Sequence, residues 1–139
     1  GQIAAISKSQ AIIEFDLQGT ILTANTNFLQ AVGYSLEEIK GRMHSMFCSE
    51  EYRHSNEYQS FWPNLARGNF YAGEFQRFGK GQREIWIQAT YNPIFDAQGK
   101  PFKVVKYASD ITAQKTAELT LRKNVNSILS VIEAASQGD

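Results

Sequence analysis

Three stretches in the second half of the chain alternate apolar and polar residues with a period of two. They run from Phe70 to Phe78, Glu84 to Phe95 and Pro101 to Ile111, and only Gly79-Lys80-Gly81 and Asp96-Ala97-Gln98-Gly99 separate them. Connections that short cannot carry a crossover helix, so the three strands must pair antiparallel as a meander. Near the start, Ala11 to Leu17 alternates after Ile12, turns at Gln18-Gly19 and resumes from Thr20 to Ala24, which reads as a hairpin.

Helical signals fill the gap between hairpin and meander. Asn25 can cap a helix whose apolar positions Phe28, Leu29 and Val32 recur at helical spacing before Gly33 ends it. Ser35 and Glu38 form a reciprocal capping pair for a second short helix, which Gly41 closes. From Arg42 to Arg67 the chain mixes Met43, Met46, Phe47, Tyr52, Tyr58, Phe61, Trp62 and Leu65 with polar residues, and it reads as short helices with Pro63 at a boundary or kink. The result is an α+β layer with helices on one face of the sheet and a separate cover needed on the other. Two segments are available for that cover. Residues 1–10, with Ile3 and Ile6 at helical spacing, read as a cap or linker helix, and residues 113–139 read as a long terminal helix, leaving 11–112 as the domain itself.

In the terminal helix Leu121, Val125, Ile128, Ile132 and Ala135 fall on one stripe with the spacing of a two-stranded coiled-coil seam. Two readings stand: a homodimer interface through the terminal helices, or a stripe packed on the chain's own sheet.

With 139 residues the chain has room for one domain, and 14 basic against 14 acidic residues leave no field for nucleic acid or an anionic membrane surface. The single cysteine, Cys48, excludes an internal disulfide and fits a reducing, cytoplasmic compartment. No apolar run reaches the roughly 20 residues of a membrane span, and residues 1–10 lack signal-peptide features, so no membrane insertion is expected. A start at Gly1 and an end inside an amphipathic pattern lead to the expectation of a segment from a longer polypeptide.

The run from Ile13 to Asn25, the run from Asn27 to Gly41, and Gly99-Lys100-Pro101 through Asp110-Ile111-Thr112 resemble PAS domains, over residues 10–112 without a gap. Gly81 to Pro93, with His44 to Cys48 and Tyr58 to Trp62, is similar more narrowly to PAS modules of methyl-accepting chemotaxis proteins, including soluble tandem receptors of the aerotaxis and biofilm-dispersion types. The resemblance implies a five-stranded antiparallel sheet in the order 2-1-5-4-3. It also implies a sensory module for redox state, oxygen or a small ligand, with adjacent PAS or receptor signalling segments as partners, and signalling from Asp110, Ile111 and Thr112 into the outgoing helix. Asp110 or Thr112 can cap that helix, with Lys80 or Arg77 as a cation for the carboxylate. An unliganded dimerisation or spacer module is the alternative.

Catalysis has little support. Gly79-Lys80-Gly81 is a turn between strands, and His44 with Cys48 lacks a third partner for either nucleophilic chemistry or zinc. A flat cofactor suits the aromatic stretch from His44 to Trp62, with His44 or His54 as the axial donor to haem b and Tyr58 and Trp62 in the wall. FAD enters through Trp86, whose position matches a flavin-associated tryptophan of aerotaxis PAS domains. Strand alternation places Ile85, Ile87, Ala89 and Tyr91 on one face and Trp86 on the other, where its competing role is to anchor the terminal helices. A module with no cofactor is the remaining reading.

Overall fold

The computed structural model describes residues 10–138. The hairpin consists of β1 (Ala11–Phe15) and β2 (Ile21–Ala24), paired antiparallel. Asp16 clamps its turn, with Oδ1 accepting from the amides of Gln18 and Thr20 at 2.9 Å each. Gly19 has a φ of +92°, and a Cβ there would stand 2.7 Å from the Trp62 indole, so both backbone and space require glycine.

Asn25 caps α1 (Thr26–Val32) as read. Its Oδ1 accepts from the amide of Phe28 at 3.0 Å and from that of Ile12 at 2.9 Å, which ties the helix start to β1. The Ser35–Glu38 box opens α2 (Leu36–Ile39). A 3-10 turn over His44–Phe47 follows, then α3 (Glu50–Arg53) and α4 (Asn56–Ala66), the last two capped by Ser49 and Ser55. Pro63 does not mark a boundary: it lies inside α4, which continues to Ala66. The missing amide leaves only the Gln59 carbonyl without its helical partner, and both residues lie on the exposed side, where solvent can supply a bond.

Strands β3 (Tyr71–Phe78), β4 (Glu84–Phe95) and β5 (Pro101–Asp110) complete a five-stranded antiparallel sheet in the order β2-β1-β5-β4-β3. Its register sets out two rows on the helix-covered face. Ile13, Lys106, Tyr91 and Tyr71 stand abreast in one, and Ala11, Ala108, Ala89 and Gly73 in the other. Large side chains of the first row pack with Phe15, Phe47, Phe61 and Leu65 in the core. Each fully buried aliphatic or aromatic side chain there contributes about 1.5–3 kcal/mol.

Helix α5 (Thr112–Gln137) leaves the sheet directly from β5. Its start is anchored, but from Thr116 onward every described residue is exposed. The stripe of Leu121, Val125, Ile128 and Ile132 therefore does not pack on the chain's own sheet. That reading is corrected, because these side chains stand exposed along the helix instead of being covered by strands. The expected helix over residues 1–10 falls, apart from Gln10, outside the described residues. Among the described residues no helix is long and apolar enough to cross a membrane.

Candidate functional site

The row of small residues leaves volume unfilled. Above it, between α1 and the sheet, lies a cavity of about 480 Å³ with Ala11 and Ala108 in its floor. Phe28, Val32 and Phe47 wall it on the helical side, Ile85 and Ile87 on the strand side. Such a volume is typical of small-molecule sites. Asn27, Gln30, Ser109 and Asp110 supply its polar lining, with Gln30, Ser109 and Asp110 exposed.

Two cations also line this cavity, Arg77 at 3% and Lys106 at 1% exposure. Arg77 donates to the Tyr91 hydroxyl at 3.2 Å and to the carbonyl of Gln76 at 2.9 Å, while its Nε is buried with no hydrogen-bond partner. Its guanidinium sits 4.9 Å from the Phe75 ring centroid and 5.2 Å from that of Tyr52. Burial opposes its charge, but the neighbouring Tyr91 and Cys48 outweigh burial and raise its pKa, so Arg77 stays cationic. Lys106 Nζ faces the rings of Tyr91 and Phe28, at 4.9 and 5.5 Å from their centroids. Burial, reinforced by Arg77, holds its pKa well below the ordinary lysine value. Among the described residues neither cation has a carboxylate partner.

Next to the cavity the structure brings together His44, Tyr58 and Trp62. His44 is fully buried, with Nδ1 2.9 Å from the Tyr58 hydroxyl and Nε2 3.0 Å from the Tyr91 hydroxyl. Trp62 Nε1 donates to Tyr58 at 3.1 Å, and Cys48 Sγ lies 3.8 Å from His44 Nδ1. Burial, Arg77 and Lys106 together keep His44 well below its usual pKa, hence neutral. A neutral imidazole carries one N–H and one lone pair, so one tyrosine accepts from it and the other donates to it. Burial pushes the Cys48 thiol up, away from the reactive thiolate.

These placements bear on the expected cofactor sites. His44, Tyr58 and Trp62 are absent from the cavity wall, and both His44 nitrogens are occupied. His54 is exposed, its Nδ1 2.7 Å from the Glu50 carbonyl. With no imidazole lining this cavity, it does not fit a histidine-ligated haem; His54, Tyr58 and Trp62 line a separate, open surface pocket instead. Trp86 lies on the opposite sheet face, under Lys115 of α5, whose Nζ is 5.0 Å from the indole centroid. That is the anchoring position, and the flavin contact expected of Trp86 is not available from there.

The same residue secures the outgoing helix. The Trp86 amide donates to Thr112 Oγ1 at 3.0 Å, and the Ile111 amide donates to the Trp86 carbonyl at 2.9 Å. Asp110, at the cavity, accepts from the Thr112 amide at 2.9 Å. The cations proposed for Asp110 are engaged elsewhere: Lys80 pairs with Glu38 at 2.6 Å and Arg77 is buried against Tyr91.

Arg77 and Lys106 are the residues that sequence reasoning missed as cavity groups. The signal was strand parity, since Lys106 falls between inward-facing Val104 and Ala108, and Arg77 shares a parity with Phe75.

A family model for the PAS fold matches residues 21–108. Biofilm dispersion protein BdlA of Pseudomonas aeruginosa is 43% identical over 111 residues, which are 80% of this chain and 27% of that protein. The aerotaxis receptor of Escherichia coli is 29% identical over 79 residues, 57% of this chain and 15% of that protein. The chain thus spans about a quarter or less of these relatives. Among solved structures, a PAS domain from Colwellia psychrerythraea has a TM-score of 0.67 at 23% identity, over 81% of this chain and 95% of that one. An RNA-binding light-oxygen-voltage receptor reaches 0.74 at 20% identity, over 90% and 36%. Sheet order, the helices over one face and the match across most of the sheet agree, and the chain belongs to the PAS family.

Proposed function

We propose that this PAS domain is the ligand-sensing module of a cytoplasmic chemotaxis-type receptor, in which occupancy of the cavity is passed to α5. One observation carries the reading. Asp110 lines the cavity and accepts from the first amide of α5, while Ile85 and Ile87, which wall the cavity, flank the residue whose backbone holds Thr112. A ligand biases the helix only through its different affinity for two arrangements, and a tenfold difference is worth about 1.4 kcal/mol. The module is not an enzyme on this reading: Cys48 is held as a thiol and His44 is committed to two tyrosines.

Filling the cavity tests transmission without a known ligand. Ala108→Leu should alter amide hydrogen exchange at Trp86, Ile111 and Thr112 relative to the unmodified chain. Unchanged exchange there, in a variant that still folds, rules the coupling out.

A second role is favoured by the exposed stripe of α5, with Leu121 at 64%, Val125 at 43%, Ile128 at 59% and Ile132 at 58% exposure. This role is a homodimer seam through the terminal helices, placing two modules side by side ahead of neighbouring PAS or receptor segments.

A further inference from the structure

Two cations in an apolar interior need an account. Arg77 is ionised and 3% exposed, and its Nε finds no acceptor. Lys106, abreast of Tyr91 in the sheet, makes no hydrogen bond to a described residue, and its Nζ lies near the Phe28 and Tyr91 rings. A buried donor without an acceptor and a buried basic group without a counter-ion are both costly, and a bound group that supplies what is missing offsets that cost. Both side chains line one cavity. The only carboxylate in that lining, Asp110, is exposed and already accepts from the Thr112 amide.

The apolar part of the wall, beside the polar Asn27, Gln30, Ser109 and Asp110, defines the other half of the ligand. Phe28, Val32, Ile85 and Ile87 offer a hydrocarbon surface, which suits a body with no hydrogen-bonding groups of its own. A purely polar anion such as inorganic phosphate would satisfy the cations and leave this wall unmatched. A neutral apolar molecule would match the wall and leave the cations unsatisfied.

We propose that the cavity binds a small amphipathic carboxylate, its anionic group against Arg77 and Lys106 and its apolar body against Phe28, Ile85 and Ile87. This rests on the cavity being the sensing site, as set out above, and names the chemical class that it senses. A carboxylate accepts at two oxygens, which meets the unused donors of both side chains. It would also favour the ammonium form of Lys106, because a nearby anion supports the charged state against the burial that opposes it.

The test is calorimetric titration of the chain with phenylacetate and hexanoate, with phenylacetamide and hexanamide as uncharged matches, and with inorganic phosphate. At least one of the two carboxylates should bind ten times or more tighter than its own amide and than phosphate. Lys106→Met, which keeps the length of the side chain without its charge, should remove most of that preference. Because Arg77→Met risks the fold, the comparison of carboxylate with amide on the unmodified chain stands by itself.

Equal binding of a carboxylate and its amide overturns the anion assignment and leaves the cavity as a sensing site. So does failure of both carboxylates while FAD binds and gives flavin absorption bands. Absence of binding by every probe also overturns it, and the hydrogen-exchange response to Ala108→Leu then decides separately whether the cavity communicates with α5. Carboxylate binding that survives Ala108→Leu unchanged places the anion elsewhere and overturns the site.

Discussion

The Tyr91 hydroxyl lies 3.0 Å from Nε2 of His44, so a fully buried phenol and a fully buried imidazole satisfy each other across the core. The same oxygen takes the bond from Arg77. Burial pushes the Tyr91 pKa up to about 12, which keeps the phenol protonated and the bond intact at any ordinary pH. Tyr91→Phe retains the ring but strips a partner from both His44 and Arg77. Unsatisfied buried groups cost about 1–3 kcal/mol each, so the midpoint of urea denaturation should fall with an unchanged slope. A loss below about 0.5 kcal/mol would show that the hydroxyl is dispensable.

His44 makes stability depend on pH. Its folded pKa is depressed by burial and by Arg77 and Lys106, so below the unfolded value near 6.5 the unfolded chain binds a proton that the folded chain refuses. Stability therefore falls as pH drops from about 7 towards 5.5, by up to about 1.4 kcal/mol per pH unit. The His44 share is the difference between the unmodified chain and His44→Gln, measured by urea denaturation across that range. Parallel curves would refute it.

Local rules made much of this fold readable. The caps at Asn25 and Ser35, the hairpin turn at Gly19 and the short links of the meander each depend on residues close in sequence, and all appear as read. The cavity did not follow from the aromatic stretch between His44 and Trp62, because large side chains fill space among themselves: Phe61 packs 4.5 Å from Tyr71 and 4.8 Å from Tyr91, centroid to centroid. Empty volume lies where Ala11 and Ala108 stand abreast, and that juxtaposition exists only once β1 and β5 are paired. His44 looked like a ligand donor since sequence could not reveal that Tyr91, from a strand 47 positions away, occupies its second nitrogen.

A cation kept at a buried position for binding should cost the empty fold something. Lys106→Met replaces a desolvated amine with a flexible apolar chain between the Phe28 and Tyr91 rings. Exchanging buried charge for hydrocarbon is commonly neutral or stabilising, by about 1–4 kcal/mol for a whole ion pair. Denaturation of the ligand-free variant should therefore give a stability equal to or above that of the unmodified chain. A loss above about 1 kcal/mol would assign Lys106 a structural role instead.

Thr112 joins helix to sheet through one hydroxyl, which accepts from the Trp86 amide. Thr112→Val keeps the shape and β-branching and removes the acceptor. Since the bond is only partly buried, global stability should fall by no more than about 1 kcal/mol. The local effect should be larger in proportion: amide exchange at Trp86 should accelerate several-fold, with that of the core strand residue Val104 scarcely altered. Unchanged protection of the Trp86 amide would mean that the hydroxyl does not hold the junction.

The seam on α5 separates association from folding in one pair of substitutions. Val125 and Ile128 are 43% and 59% exposed within the chain. Changing both to Glu leaves the globular core intact, so below the association concentration the denaturation free energy should move by less than about 0.5 kcal/mol, as for other surface changes. In a two-helix seam the same carboxylates would face their symmetry mates across an apolar stripe, where desolvation and like charge oppose pairing. Sedimentation equilibrium should accordingly report a dimer for the unmodified chain and a monomer for Val125→Glu/Ile128→Glu. A variant that remains dimeric would move the interface off the helix, and a parent that is monomeric at high concentration would remove the seam altogether.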